Sequence, residues 1–424
     1  CGARTVPFIA VEQPRAELYG AALPAGDTAW SNESLAEAFT LLTHGLEWGA
    51  SRPNLVRFEG PVRVAITGQG SHQYLGFLET FLADLAARTG IDIALGSDAD
   101  LLVRLVPGAS YAAYEPNQCF FVMGQPSWQA FLREGSAGGE AFERATTQSR
   151  LTIFMPDTHE PYKIRECLIE EITQALGPGN DLYGLGPSIF NDDNAHTWPT
   201  AVDYLMLRVL YDPRIRTGLD RDETQARARV ILDEINPEGR SAPPLPPLKQ
   251  GEMIDWRNAL HAMPYDDDED LEAAQIRTAR SLVREAEDFA PGSAYHCTAL
   301  WTLADIRGND DPEAMADTDE AIEVCAEAHG QSDVRISLLK LRRAFALFAS
   351  ERYGDALKET EGLEEAFLGH KLEDRLVATY ALRWASASLR DGQRRRQDLL
   401  NKAVAWGAYA YGDDNDIVED WRLY

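Results

Sequence analysis

The sequence predicts an α+β domain followed by an all-α domain of helical hairpins. Three observations point there: short β-like runs gather around one amphipathic helix between Pro61 and Phe154, a proline-rich stretch follows the next helices, and every periodic segment after it is helical. With 424 residues the chain exceeds the roughly 250 at which single cores stop growing, so two folded domains are expected.

The elements follow in order. Residues 1–30 are rich in Pro, Gly and Ala with little period and read as an extended tether. Leu35, Phe39, Leu42 and Leu46 stand at helical spacing behind Ser31 and Asn32, which predicts a capped helix from Asn32 to about Trp48. Val62 to Ile66 alternates as a strand, and Tyr74 to Thr89 is an amphipathic helix. Leu101–Val106, Cys119–Met123 and Leu151–Phe154 are further strands. A strong helix runs from about Tyr162 to Leu176 and must stop at Gly177-Pro178-Gly179. Helices over about Ala201–Tyr211 and Arg221–Ile235 close an α+β domain of residues 31–236. Residues 237–250, with Ser241-Ala242-Pro243-Pro244-Leu245-Pro246-Pro247, read as a stiff linker.

Residues 251–424 carry helices over roughly 255–263, 271–289, 294–306, 312–328, 335–349, 353–367, 373–389 and 397–410, joined by short Gly, Asn or Asp turns. The acid run Asp266–Asp270 precedes a helix start and reads as solvated capping, and Arg394–Arg396 as a solvated loop or helix start. Trp301, Trp384, Trp406 and Trp421 read as core, and Gly68-Gln69-Gly70 as a plain strand-to-helix turn.

The formal charge of −28 repels phosphate backbones, which excludes nucleic acid as a partner on electrostatic grounds. No run approaches the roughly 20 apolar residues that cross a bilayer. The opening Cys1-Gly2-Ala3 resembles what a bacterial lipoprotein keeps when its signal peptide is cut before an acylated cysteine, and position 2 is not acidic. That resemblance implies a lipid anchor at Cys1 and an outer-membrane location. Cys119, Cys167, Cys297 and Cys325 then suggest disulfides, one bridge per half being the simplest of three pairings.

Ile169-Glu170-Glu171-Ile172-Thr173-Gln174-Ala175-Leu176-Gly177 resembles the active-site helix of metzincin zinc proteases, His-Glu-x-x-His-x-x-Gly-x-x-His. That chemistry needs two imidazoles one turn apart, a carboxylate between them to activate metal-bound water, and a glycine turn leading to a third ligand. On this template Glu171 takes the general-base position and Gly177 the turn. The ligand positions fall on Glu170, Gln174 and Asn180, with Asp181 adjacent, and none is histidine. All eight histidines are scattered, with no His-x-x-x-His. A carboxylate with two amides disfavours Zn²⁺ and would better suit Ca²⁺ or Mg²⁺.

The helix, with Gly179-Asn180-Asp181, Pro187-Ser188-Ile189-Phe190-Asn191-Asp192-Asp193 and Leu210-Tyr211-Asp212-Pro213-Arg214-Ile215, resembles an uncharacterised family of Gram-negative envelope proteins over about residues 50–236. The resemblance implies a zincin-like fold and a disulfide near Cys119 and Cys167. Asn191, Asp192 and Asp193 are a second polar cluster, either closing over the helix or capping local backbone as an Asx-type turn.

In the second half, Ala356-Leu357, in Tyr353-Gly354-Asp355-Ala356-Leu357, lies 35 positions after Ala321-Ile322, in Thr318-Asp319-Glu320-Ala321-Ile322, close to the 34-residue tetratricopeptide period. With Ala344 and Leu347 this resembles tetratricopeptide repeats, whose stacked hairpins bind peptide or protein on a concave face. The expected function is a membrane-tethered, non-catalytic binding or scaffold subunit of a larger envelope assembly with protein partners. The alternatives are a hydrolase using Glu170, Glu171 and Asp181, with or without a divalent ion, and a periplasmic peptide or solute binder working through the repeat groove.

Overall fold

The computed structural model describes residues 12–22, 30–46, 49–111, 119–134, 143–148, 150–191, 195–245, 259, 269–308, 311, 313–391 and 397–412. Cys1, Trp48, Asp192, Asp193, Asp266–Asp268, Arg394–Arg396, Trp421 and all but one residue of the expected 255–263 helix lie outside them. The chain forms two compact units, Ala25–His159 with Lys163–Ile254, and Asp255–Tyr424 with Cys1–Pro24 and Glu160–Tyr162.

Residues 12–20, expected to be extended, are a helix, α1 (Glu12–Gly20), which belongs to the second unit. In the first unit α2 (Asn32–His44) starts where the Ser31 hydroxyl accepts from the Ser34 N–H and stops at the extended Gly45, short of Trp48. Leu35, Phe39 and Leu42 are buried, as their spacing required. The sheet strands are β1 (Val62–Thr67), β2 (Ile93–Leu95), β3 (Leu101–Val106), β4 (Phe120–Met123) and β5 (Leu151–Pro156), in the order β2-β1-β3-β5-β4. β4 alone among them runs antiparallel, pairing Phe120 with Phe154. β2 escapes sequence reading because three residues show no alternation, and it is a strand only because Ile93 pairs with Val62. β1 alternates buried and half-buried side chains, whereas β5 is buried at all six positions, covered on both faces.

Between the strands lie α3 (Leu75–Thr89), α4 (Gly108–Tyr111) and α5 (Trp128–Glu134). Trp128, Tyr111, Phe131 and Phe154 form an aromatic core against β4. The long helix α6 (Pro161–Ala175) follows β5, and α7 (Ala201–Leu210) and α8 (Arg221–Ile235) complete the unit. The expected stiff linker is not free: Pro237–Arg240 is a 3-10 turn, Pro243 accepts from the Ser31 N–H at 2.8 Å, and the Leu245 N–H donates to the Ser34 hydroxyl at 3.1 Å. Prolines fix this stretch extended, and its carbonyls and buried Leu245 then find partners at the start of α2. Among the described residues no helix is long and apolar enough to cross a membrane.

The second unit is helical: α9 (Glu269–Phe289), α10 (Ala294–Ile306), α11 (Ala314–His329), α12 (Val334–Ala349), α13 (Tyr353–Glu359), α14 (Leu363–His370), α15 (Glu373–Asp391) and α16 (Gln397–Tyr411). Successive helices from α9 to α13 pack as neighbours, as do α15 and α16. The single helix expected over 353–367 is broken, because Gly362 takes a left-handed φ of 80° between α13 and α14. Trp406 and Trp301 are core, as read.

Each unit holds one disulfide: Cys119 joins the start of β4 to Cys167 on α6, and Cys297 on α10 joins Cys325 on α11. The first closes a loop of sequence separation 48. Chain entropy assigns such a loop about 2–4 kcal/mol, so Cys119→Ser with Cys167→Ser should lower the unfolding free energy of the first unit by that amount, seen as a lower urea midpoint, while leaving the second unit's transition in place. A midpoint shift in neither unit would show that the bridge constrains nothing.

His329 ends α11 with both ring nitrogens shut from solvent and without a hydrogen-bond partner among the described residues. Burial, aided by the Arg335 charge, pushes it down to about 3. The unfolded chain takes up a proton below about pH 6.5 and the folded one does not, so stability falls as pH drops from there toward 4, by up to about 1.4 kcal/mol per pH unit for this group. His329→Leu should flatten that slope in urea titrations between pH 7 and 5. Parallel slopes for the two proteins would exclude His329 as the group responsible.

Candidate functional site

The helix that resembles a protease active site is a buried structural strut in this fold. Every residue from Glu171 to Gly186 is buried, whereas Glu170 is half-buried. The Gln174 amide donates to Asp181 at 3.0 Å, and the Asn180 amide turns away to the Leu41 carbonyl of α2 at 3.1 Å. Gly45 leaves room for that amide, since a Cβ there would strike Asn180 and the Leu41 carbonyl. Glu171 is 5% exposed and does not line the neighbouring cavity, whereas Glu170 does. The NH2 groups of Gln174 and Asn180 donate to different partners. Among the described residues no group of three or more His, Cys, Asp or Glu side chains is placed to hold an ion. The residues do not fit a zinc centre.

The end of α6 explains what these residues do instead. A helix leaves its last carbonyls without intrahelical partners. Here Gln148 donates to the Ala175 carbonyl at 3.3 Å, the Tyr211 hydroxyl to Leu176 at 3.0 Å, and Arg52 to Gly177 at 3.1 Å. Arg52 also donates to Thr43 on α2, and its positive charge sits where the helix dipole is negative. Burial lowers its guanidinium to about 10. Beside it His44 reaches the Thr224 hydroxyl at 3.0 Å, and burial lowers its imidazole.

The Ser188-Ile189-Phe190-Asn191 loop is held in the same manner. Asp203 closes a capping box with Thr200 at the start of α7 and accepts from the Ser188 hydroxyl and the Ile189 N–H. Burial pushes its carboxyl up to about 6 against those hydrogen bonds. Trp198 packs edge-on against Phe77 and Phe81 of α3 and donates to the Tyr204 hydroxyl at 3.1 Å. These fastenings bring Asn191 and His196 against Lys163, Glu166 and Glu170 on α6 around a cavity of about 20 Å³. That space admits about one water molecule. The polar cluster expected of Asn191, Asp192 and Asp193 is seen only at Asn191, which is buried at the cavity wall; its neighbours lie outside the described residues.

Sequence reasoning passed over Lys163, Glu166 and His196. The first two were accessible in principle, because positions 163, 166 and 170 share one helical face. His196 carried no local signal, since it depends on the Ser188–Asp203 fastening to reach α6.

Among the described residues, Gln174, Asn180, Ser188 and Tyr211 of the motifs that pointed to a family are held by hydrogen bonds within the α+β unit. Residues 32–230 match the profile of a family described as protein of unknown function, DUF2927. The match spans α2 to the last turn but one of α8, which is the α+β unit without its C-terminal edge. No curated protein and no solved structure matches the chain. Within residues 32–230, Gln174 pairs with Asp181, Asn180 donates to Leu41, Glu170 lines the cavity, Tyr211 donates to Leu176 at the end of α6, and Ser188 donates to Asp203 of α7.

Proposed function

We propose that this protein is a non-catalytic binding or scaffold subunit of a larger cell-envelope assembly, with a zincin-like body whose active-site helix has become structural and a tetratricopeptide-like helical unit that meets protein partners. The observation that carries this reading is that Gln174 and Asn180 are buried and donate to Asp181 and to the Leu41 carbonyl, while the cavity that Glu170 lines measures about 20 Å³. Support for the zincin-like body comes from the mixed sheet that leads through β5 into α6. Support for the repeat reading comes from consecutive helices packing as neighbours. Two disulfides suit an oxidising compartment, which favours the envelope over the cytosol.

The test is site-specific photo-crosslinking in intact envelopes. A photoreactive residue at Leu368 in the helical unit is expected to give a discrete adduct of one mass, and one at the exposed Val230 of α8 to give none. Glu171→Gln and Gln174→Ala should leave the adduct unchanged. A lone monomer after gentle membrane extraction, with no adduct at Leu368, would overturn the reading, as would a hydrolytic activity abolished by Glu170→Gln.

A further inference from the structure

The strongest unexplained feature is how α1 is held. It is nine residues long, too short to be stable as an isolated helix, and it buries only Pro14 and Leu18 to any depth. Its main chain is gripped by Lys371, 7% exposed, which donates through Nζ to the carbonyls of Leu18 at 2.6 Å and Ala21 at 2.5 Å. Tyr19 meets Tyr409 of α16 hydroxyl to hydroxyl at 3.3 Å. Lys371 itself sits at a φ of 63°, a left-handed conformation disfavoured for a side chain of its size, at the end of α14. A buried cation aimed at the carbonyls ending a helix recognises any helix C-terminus, whatever its side chains. Just past α1 the groove does not end. It continues as a cavity of about 540 Å³ lined by Ala21, Gly362, Leu368, Gly369, Arg383 and the carboxylates Glu364 and Glu365, so α1 fills only part of what α14 and its neighbours offer.

The geometry points to a helix-accepting groove on α14 and α16 that α1 occupies in cis, as a displaceable plug, and that takes in its place a helical segment of a partner protein long enough to run on into the open cavity. The inference rests on the reading of the helical unit as the binding arm and names its groove and partner chemistry. The partner helix carries an apolar residue at the place of Leu18 and ends with its carbonyls on Lys371. Recognition through main-chain carbonyls and one apolar anchor is the helix-in-groove mode, and a weakly anchored cis ligand lowers the affinity of any competitor by the fraction of time it is seated.

The probe is a fluorescent peptide of residues 12–22 titrated into the full chain. Leu18→Asp in the chain should unseat α1 and let the peptide bind at least about ten-fold more tightly than to the wild-type chain, and a peptide carrying the same change should not bind. Equal binding to both chains, or none to either, would overturn the inference. Hydrogen exchange on the unaltered chain guards against a variant that fails to fold: α1 amides should exchange at least about ten-fold faster than those of α15, because a plug opens on its own, and matched rates would make α1 an integral core helix and end the proposal. The Leu368 crosslink separates this inference from the broader one. An adduct equally strong in wild type and Leu18→Asp keeps the binding arm and removes the plug.

Discussion

Arg335→Ala is expected to destabilise the helical unit by about 3–5 kcal/mol, the largest effect of any single change considered for that unit. Arg335 is completely buried near the start of α12 and donates from one guanidinium nitrogen to both oxygens of Asp333, at 2.9 and 3.0 Å. Asp333 is the N-cap of the same helix and accepts from the Arg335 N–H at 2.9 Å. Removing the guanidinium leaves a carboxylate that is itself almost wholly buried, without its paired charge, and a void as well. Asp333→Asn combined with Arg335→Leu should recover much of the loss, because replacing both members of a buried pair by neutral groups avoids the stranded charge. Urea midpoints of the three proteins measure both statements. A loss below about 1 kcal/mol for Arg335→Ala would mean that water or another cation takes up Asp333.

Gly177→Ala should cost the α+β unit about 3 kcal/mol, combining strained backbone with a steric clash. Gly177 has a φ of 146°, and a Cβ on it would lie 2.9 Å from Leu210 Cδ2 and 3.5 Å from the Val56 carbonyl oxygen. Leu210 is fully buried and cannot retreat. The same residue presents its carbonyl to Arg52, so a shift of the turn also loosens the tie between α6 and α2. Thermal unfolding followed in the near-ultraviolet is the direct check. An unchanged midpoint would show that the turn relaxes without loss, and that Gly177 is dispensable for the placement of α6. The outcome bears on function too. In a protease the corresponding glycine would lead to a third metal ligand, whereas here it lets the chain fold back so that Gln174 meets Asp181.

Glu170 and Glu171 are consecutive, yet one lines a water-sized cavity and the other is buried away from it. About 100° of helical turn separates neighbouring residues, so a one-residue step decides which side faces the sheet. Gln174 and Asp181 are seven positions apart, and their bond depends on the reversal at Gly177-Pro178-Gly179, whose existence was readable but whose direction was not. Asp203 closes a capping box with Thr200 three residues before it, but its hold on Ser188 spans 15 positions and depends on the folded loop. The histidine nearest the cavity, His196, stood among scattered residues until the loop carrying it was fastened.

Local patterns determined what local physics controls. Helical periodicity and caps specified α10 and α8 to the residue, and alternation specified β1, because these depend on groups within a few positions of each other. The cysteine count and distribution left one bridge per unit as the simplest of three pairings, and that is the pairing the chain adopts. Tertiary structure alone decided the strand order, the existence of β2, the break at Gly362, the docking of α1 and the closure of the protease-like helix. Each of these rests on contacts between residues far apart in the chain, where the choice of partner follows from the shape of the finished core and not from any short run of sequence.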